Sequence, residues 1–261
     1  MVPASHRDLL DRPLPAVLTT HLGTGRLQCS VVWFSPEGDD VVVSTMAEFA
    51  KAKHLAARPL ATLLVTDADG RWLEVRADVT RDEDERPEDA VAVLDAIAVR
   101  YTGNGPHFGA VVPAELAEVE HPVTFRLTPV TVAAGHAVAG PMPSGPAGAP
   151  VPPDAVPLPP SHLDLLDGRS LAALATVRPD GRARTQPVRC GTDGDAVLLS
   201  ADAEVLVDVA ADPRATVLVL DPGNSSRWLQ VRGDVSVTDA PEVGDDVIRV
   251  VPRRVICDAI H

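Results

Sequence analysis

Arg71-Trp72-Leu73-Glu74-Val75-Arg76-Ala77-Asp78-Val79 and Arg227-Trp228-Leu229-Gln230-Val231-Arg232-Gly233-Asp234-Val235 are one phrase written twice, 156 residues apart and alike at seven of nine positions. The alternation of apolar and polar residues is that of a strand with two unlike faces. Leu73, Val75, Ala77 and Val79 are expected to face a core. Trp72, Glu74, Arg76 and Asp78 fall on the other side, where the expected partner of Arg76, and of Arg232 in the second phrase, is an acid such as Glu74 or Asp78 on a neighbouring strand.

The same offset recurs outside the phrase. Ser5-His6-Arg7-Asp8 returns as Ser161-His162-Leu163-Asp164, Gly25-Arg26 as Gly181-Arg182, Ser44 as Ser200, and Ala47-Glu48 as Ala203-Glu204. A fixed offset over so many positions is a tandem duplication. Each copy opens on a capping-box-like turn, with His6 and His162 decorating the helix start. Apolar strands separated by Gly and Asp turns follow. In copy one these are Ala16 to His21, Gln28 to Ser35, Val41 to Ser44, Ala61 to Thr66 and Arg71 to Thr80. Such spacing predicts a mainly β fold with short helices, each copy a closed or nearly closed antiparallel barrel.

Beyond the phrase the copies diverge. Copy one continues with Pro87-Glu88-Asp89, suited to a helix's first turn, then Val91, Leu94, Ile97, Ala98 and Tyr101 at helical spacing before Gly103. Copy two has no such helix. Its closing strand, Asp246 to Pro252, matches Val123 to Pro129 at an offset of only 123, so copy two is shorter there by 33 residues. Residues 135–160 hold nine prolines from Pro141 to Pro160, which favours an extended, semi-stiff strap. The expected organisation is copy one over 1–134, a linker over 135–160 and a shortened copy two over 161–261.

Composition narrows the function. A net charge of −14 argues against a nucleic-acid partner, since phosphate backbones are held by accumulated Lys and Arg. Cys29, Cys190 and Cys257 are scattered and odd in number, indicating neither a disulfide framework nor a metal site. No apolar run reaches signal-peptide or membrane-span length, so a cytoplasmic protein without a membrane partner is expected. No nucleophile-elbow, zinc-protease or phosphate-loop sequence appears, and no catalytic side chain is proposed.

Against this background Val41 to Lys53, VVVSTMAEFAKAK, is unusual. It reads as a buried strand, a polar turn at Ser44-Thr45 and a helix start, and a helix N-terminus offers free N–H groups and a positive dipole end to a phosphate. Lys51 and Lys53 are the chain's only lysines among 23 basic residues.

These residues, with Gly25 to Phe34 (GRLQCSVVWF), Glu37-Gly38-Asp39-Asp40, and Pro59 with Ala61-Thr62-Leu63, resemble the split-barrel flavoproteins related to pyridoxamine 5′-phosphate oxidase, and within them the deazaflavin-dependent branch. The resemblance covers Pro15 to about Pro129 and, more weakly, Leu171 to Pro252. It implies split barrels that work in pairs, with FMN or a deazaflavin (coenzyme F-420) in the groove between two barrels. Duplication would let one polypeptide build that pair internally as a pseudo-dimer, alone or as a homodimer. The resemblance implies Gln28, Ser30 and Val32 along the ring and Ser44, Thr45, Lys51 and Lys53 at the phosphate. Trp228 completes the candidate set, although its recurrence as Trp72 suits packing first. The chain departs from the family at Phe49 and Ala50, where an arginine pair often stands, and at His54, where asparagine is frequent.

At the shared offset Lys51 and Lys53 become Val207 and Val209. Losing two charged hydrogen bonds, each worth about 1.5–3 kcal/mol, leaves one working site per chain as the expectation. The expected activity is hydride transfer between the cofactor and a small organic acceptor, the chemistry belonging to the cofactor. A non-enzymatic flavin- or haem-binding protein of the same fold is the alternative.

Overall fold

The computed structural model describes residues 1–137, 151–168, 171–221, 223–238 and 246–257. In chain order the elements are α1 (Asp8–Asp11), β1 (Ala16–His21), β2 (Leu27–Val32), β3 (Ser35–Glu37), β4 (Asp40–Met46), α2 (Ala50–Ala57), β5 (Leu60–Thr66), β6 (Arg71–Thr80), α3 (Pro87–Thr102) and β7 (Pro122–His136). Copy two supplies β8 (Leu171–Val177), β9 (Ala183–Thr192), β10 (Val197–Ala201), α4 (Ala203–Ala211), β11 (Arg214–Asp221), β12 (Asn224–Thr238) and β13 (Asp246–Cys257). Two compact units result. The first comprises Met1–Gly23 and Ser30–Gly135, the second Thr24–Cys29 and His136–His261.

The strand order of the first unit's sheet is β2-β1-β5-β6-β7-β4-β3, and that of the second is a closed barrel, β10-β13-β12-β11-β8-β9. Read backwards, the second order repeats the first through β4, and only β3 has no strand of its own in copy two. The sequence offsets reappear in the pairing. Val43 faces Phe125 and Leu199 faces Ile248, which are offsets of 156 and 123. Thr62 faces Arg76 and Thr216 faces Arg232, offsets of 154 and 156. Two residues have therefore gone from the helix connection of copy two, and the long helix with its loop from the final connection.

The core of each unit is what the alternation predicts. Leu73, Val75, Ala77 and Val79 join Leu18, Leu63, Phe125 and Leu127 in the first core, and Leu229 and Val231 join Leu174, Val217 and Ile248 in the second. The opposite face of β6 is covered too, since Glu74 and Arg76 are buried. Trp72 lies over Gly135, where a Cβ would come within 2.8 Å of the indole, so it packs as a structural residue.

One strand is broken where the sequence predicts continuity. Gln28 to Ser35 divides into β2 and β3 at Trp33-Phe34, because Tyr101 of α3 occupies the break. Its ring stacks on Trp33 at 5.0 Å, its hydroxyl donates to Leu14 O at 2.8 Å, and Phe34 N donates to it at 3.3 Å. Among the described residues copy two has no counterpart of α3, and its equivalent strand β9 runs unbroken from Ala183 to Thr192.

The capping-box reading is also corrected. Ser5 and Ser161 cap no helix; each hydroxyl bonds Nδ1 of the following histidine at 2.9 Å. Arginine does the clamping instead. Arg71 reaches Ser5 O and Asp8, and Arg227 reaches Ser161 O and Asp164, again 156 apart.

The proline-rich strap falls partly outside the described residues, over 138–150. Its end belongs to the second unit. Leu158 is in the core, Val156 N donates to Pro252 O at 2.9 Å and Asp154 pairs with Arg253.

Of the two differences between the repeated phrases, Ala77 against Gly233 is explained by the backbone. A Cβ on Gly233 would lie 2.2 Å from Val251 O, where β12 and β13 shift register. Gly233→Ala must push the strands apart. It is expected to cost about 3 kcal/mol or somewhat less, read as a lower urea midpoint. A loss under about 0.5 kcal/mol, the range of neutral surface changes, would contradict this.

Candidate functional site

Helix α2 packs against β1 and β4, and its first turn breaks the usual rule for helix starts. Acids stabilise the positive end of the helix dipole and cations destabilise it. Yet α2 begins Ala50-Lys51-Ala52-Lys53, has no acid in its first turn, and its N-cap Phe49 makes no side-chain hydrogen bond. Its counterpart α4 obeys the rule: Asp202 accepts from Val205 N at 2.9 Å, and Glu204 lies in the first turn.

Lys51 is half-buried and Lys53 exposed, as expected for positions about 200° apart around a helix. Burial pushes the Lys51 ammonium below its ordinary value, with Phe49 the one ring under it at 4.9 Å. Among the described residues neither lysine has a carboxylate partner.

The two helices end on the same bond, Arg58 N to His54 O and Asp212 N to Asp208 O, both 2.8 Å. Those ends are 154 residues apart, so Lys51 and Lys53 correspond to Val205 and Val207 rather than to Val207 and Val209. Val205 is a core residue at 0% exposure and Val207 is 58% exposed, the same inward and outward pattern as the lysines.

Ser44 and Thr45 lie inside β4 rather than in a turn, paired with Thr124 and Val123. The β-branched Thr45 suits the ladder, and successive residues of a strand point to opposite faces. The two hydroxyls therefore cannot both meet one phosphate group. Ser44 Oγ, Thr45 Oγ1 and Thr124 Oγ1 are all buried without a hydrogen-bond partner among the described residues. A buried hydroxyl in that state is costly, and a ligand oxygen would satisfy it.

Of the other candidates, Ser30 and Gln28 are half-buried on β2, and the side chain of Val32 belongs to the first core, leaving only its backbone for a ligand. Trp228 is half-buried on β12. The structure thus gathers Ser30, Val32, Ser44, Thr45, Lys51 and Lys53 in the first unit and places Gln28 and Trp228 in the second.

Sequence reasoning noted His54 only as a departure from the family pattern and missed His21 beside it. Thr20 Oγ1 and His54 Nδ1 are 3.2 Å apart, and His21, next along β1, is 3% exposed with neither ring nitrogen partnered among the described residues. Burial, with Arg58 nearby, lowers its pKa from 6.5 to about 4. Because the folded value lies below the unfolded one, the native state binds fewer protons between those limits. Stability is full above about pH 6.5 and falls by on the order of 3 kcal/mol as pH drops to about 4. His21→Val, the residue copy two carries as Val177, is expected to flatten that part of the stability-pH curve. Parallel curves for the two proteins would contradict it.

Copy two fills the equivalent place with charge pairs. Asp208, 1% exposed, accepts from Thr176 Oγ1 at 2.8 Å and from Arg184 Nε at 2.7 Å, and Arg184 also pairs with Glu204. Thr176, Arg184 and Asp208 stand where copy one has Thr20, Gln28 and His54. Arg184 and Asp208 border a cleft of about 450 Å³ that also takes in Arg178, Asp180 and Val207. Among the described residues no cluster of His, Cys, Asp or Glu is placed to hold a metal ion, and no helix is long and apolar enough to cross a membrane.

Closure in six antiparallel strands, with a sheet of the same order in the first unit, defines a pair of split-barrel units. Residues 158–256 match the pyridoxamine 5′-phosphate oxidase family model. Over those 99 of 261 residues the chain is similar to this family. The match falls on copy two, where the sequence resemblance is the weaker, so the family pattern is carried by the barrel strands and not by the lysines. No curated protein matches the chain. Among solved structures, an F-420 reductase is 29% identical and covers 51% of this chain and 98% of its own, with a TM-score of 0.43. A conserved hypothetical protein of Mycobacterium tuberculosis is 19% identical, covering 54% and 93% with a TM-score of 0.42. The haem-storage protein HutZ of Vibrio cholerae is 15% identical, covering 51% and 94% with a TM-score of 0.40.

Proposed function

We propose that the chain is a cytoplasmic oxidoreductase that binds FMN or the deazaflavin coenzyme F-420 through copy one. The observation that carries this reading is the start of α2, with two unpaired lysines at the positive end of an uncapped helix. Natural sequences break a local stability rule chiefly where function requires it. A phosphate there would meet the free N–H groups of the first turn, the half-buried ammonium of Lys51 and the longer reach of Lys53. One of the unsatisfied hydroxyls of β4 adds a donor.

The residues present fit such a group. When bound, it supplies hydride transfer to a small organic acceptor. The chain's own part is to anchor the phosphate, to keep water from the buried hydroxyls and to fix orientation. His54, held by Thr20, orients the inner side of α2 without touching the reaction.

Titrating the purified chain with F-420, FMN and haemin, followed by fluorescence and absorbance, separates this reading from a haem carrier. Micromolar binding of a flavin or deazaflavin, and its anaerobic reoxidation by small acceptors only in the chain's presence, are the expected results. Binding of haemin alone would overturn the reading.

A further inference from the structure

The second difference between the repeated phrases, Glu74 against Gln230, leaves a charge uncompensated. In copy one Arg76 Nε and Nη2 reach Glu74 Oε2 at 2.9 and 2.7 Å, a buried pair on one strand. Copy two keeps the arginine as Arg232 and replaces the acid with an amide. The amide oxygen is used elsewhere, accepting from Cys29 N at 2.9 Å.

Arg232 is 6% exposed, and its side chain has no hydrogen bond or ion pair among the described residues. The nearby acids are engaged. Asp234 pairs with Arg26 at 3.1 Å and Arg253 at 2.7 Å, and Asp212 holds Arg214 through two contacts of 2.6 Å. Arg26 and Arg254 repel the Arg232 charge, and Cys29 attracts it. A lone buried guanidinium is among the costliest arrangements a fold can hold, and it calls for a counter-ion.

Beside it lies a small cavity lined by Arg26, Leu27, Val177, Arg214, Thr216 and Arg232, all within the second unit. Its free volume, about 10 Å³, admits one small particle. We infer that the second unit binds one small monovalent anion of halide size against Arg232, in the role that the Glu74 carboxylate plays for Arg76.

The test compares the full chain with Gln230→Glu, which restores the copy-one pair, and with Arg232→Met. Thermal unfolding is followed at constant ionic strength as gluconate, too large for the cavity, is exchanged for chloride or bromide. The unaltered chain is expected to rise in Tm by roughly 2–6 °C at an anion concentration about ten times Kd, and the two variants not at all. Crystals grown in bromide are expected to show an anomalous peak within hydrogen-bonding distance of Arg232, which decides the matter even if a variant fails to fold. An unaltered chain indifferent to the anion, an equal halide response in Gln230→Glu, or a bromide crystal without that peak would overturn the inference, leaving water as the occupant.

Discussion

The double change Lys51→Ala, Lys53→Ala is expected to weaken binding of FMN or the deazaflavin by roughly a hundred- to ten-thousand-fold while leaving the fold intact. Each lost charged hydrogen bond removes about 1.5–3 kcal/mol, and about 1.4 kcal/mol is tenfold in affinity. Folding should not suffer, because both ammonium groups sit at the wrong end of a helix dipole and have no carboxylate to lose. The two lysines are not equal. Lys51 is half-buried with its pKa pushed down by desolvation, so a phosphate that neutralises it repays a penalty already present in the free protein. Lys53 is exposed, where water screens the contact. Lys51→Ala alone is therefore expected to account for the larger part of the loss. Unchanged affinity in the double variant, with its Tm preserved, would show that the phosphate lies elsewhere.

Asp208→Ala is expected to cost about 3–5 kcal/mol of stability in the second unit, the range for removing one partner of a buried ion pair. Arg184 has a side chain only 8% exposed, and without Asp208 it keeps, among the described residues, only Glu204, whose side chain is 69% exposed. At the corresponding positions copy one carries Gln28 and His54, neither of them an acid or an arginine. Arg184→Gln with Asp208→His puts the copy-one residue types of Gln28 and His54 in their place. The pair is therefore expected to cost clearly less than the sum of its single changes, measured by chemical unfolding in a double-mutant cycle. Strict additivity would mean that the charges do not act as a unit. The same network shows how copy two stabilises a region in which both lysines have given way to valine. It places fixed carboxylates there, which disfavour a second phosphate.

The limits of β1 and β6 are legible in the sequence because local alternation and turn residues define them. The shortened closing strand is legible because a second offset, 123, survives beside the first. What the sequence hides depends on distant residues. Trp33-Phe34 reads as strand until Tyr101 arrives from a helix 67 positions later. Ser44 and Thr45 read as turn because their hydroxyls suggest one, whereas the ladder to β7 holds them extended.

The site shows the same division. Two lysines in a chain that otherwise uses arginine are visible in the letters alone. Their unequal burial, and their true counterparts Val205 and Val207, need the helix ends that fix the register. The isolation of Arg232 is invisible beside its twin, since pairing Arg76 with Glu74 and leaving Arg232 alone turns on where Gln230 sends its amide oxygen.

Counting cofactor equivalents by calorimetric titration of the unaltered chain with FMN and with F-420 tests the central claim most directly. The account predicts one equivalent per chain, bound in the micromolar range. Two equivalents would show that copy two still works, and no heat at micromolar concentration would remove the cofactor from the account altogether.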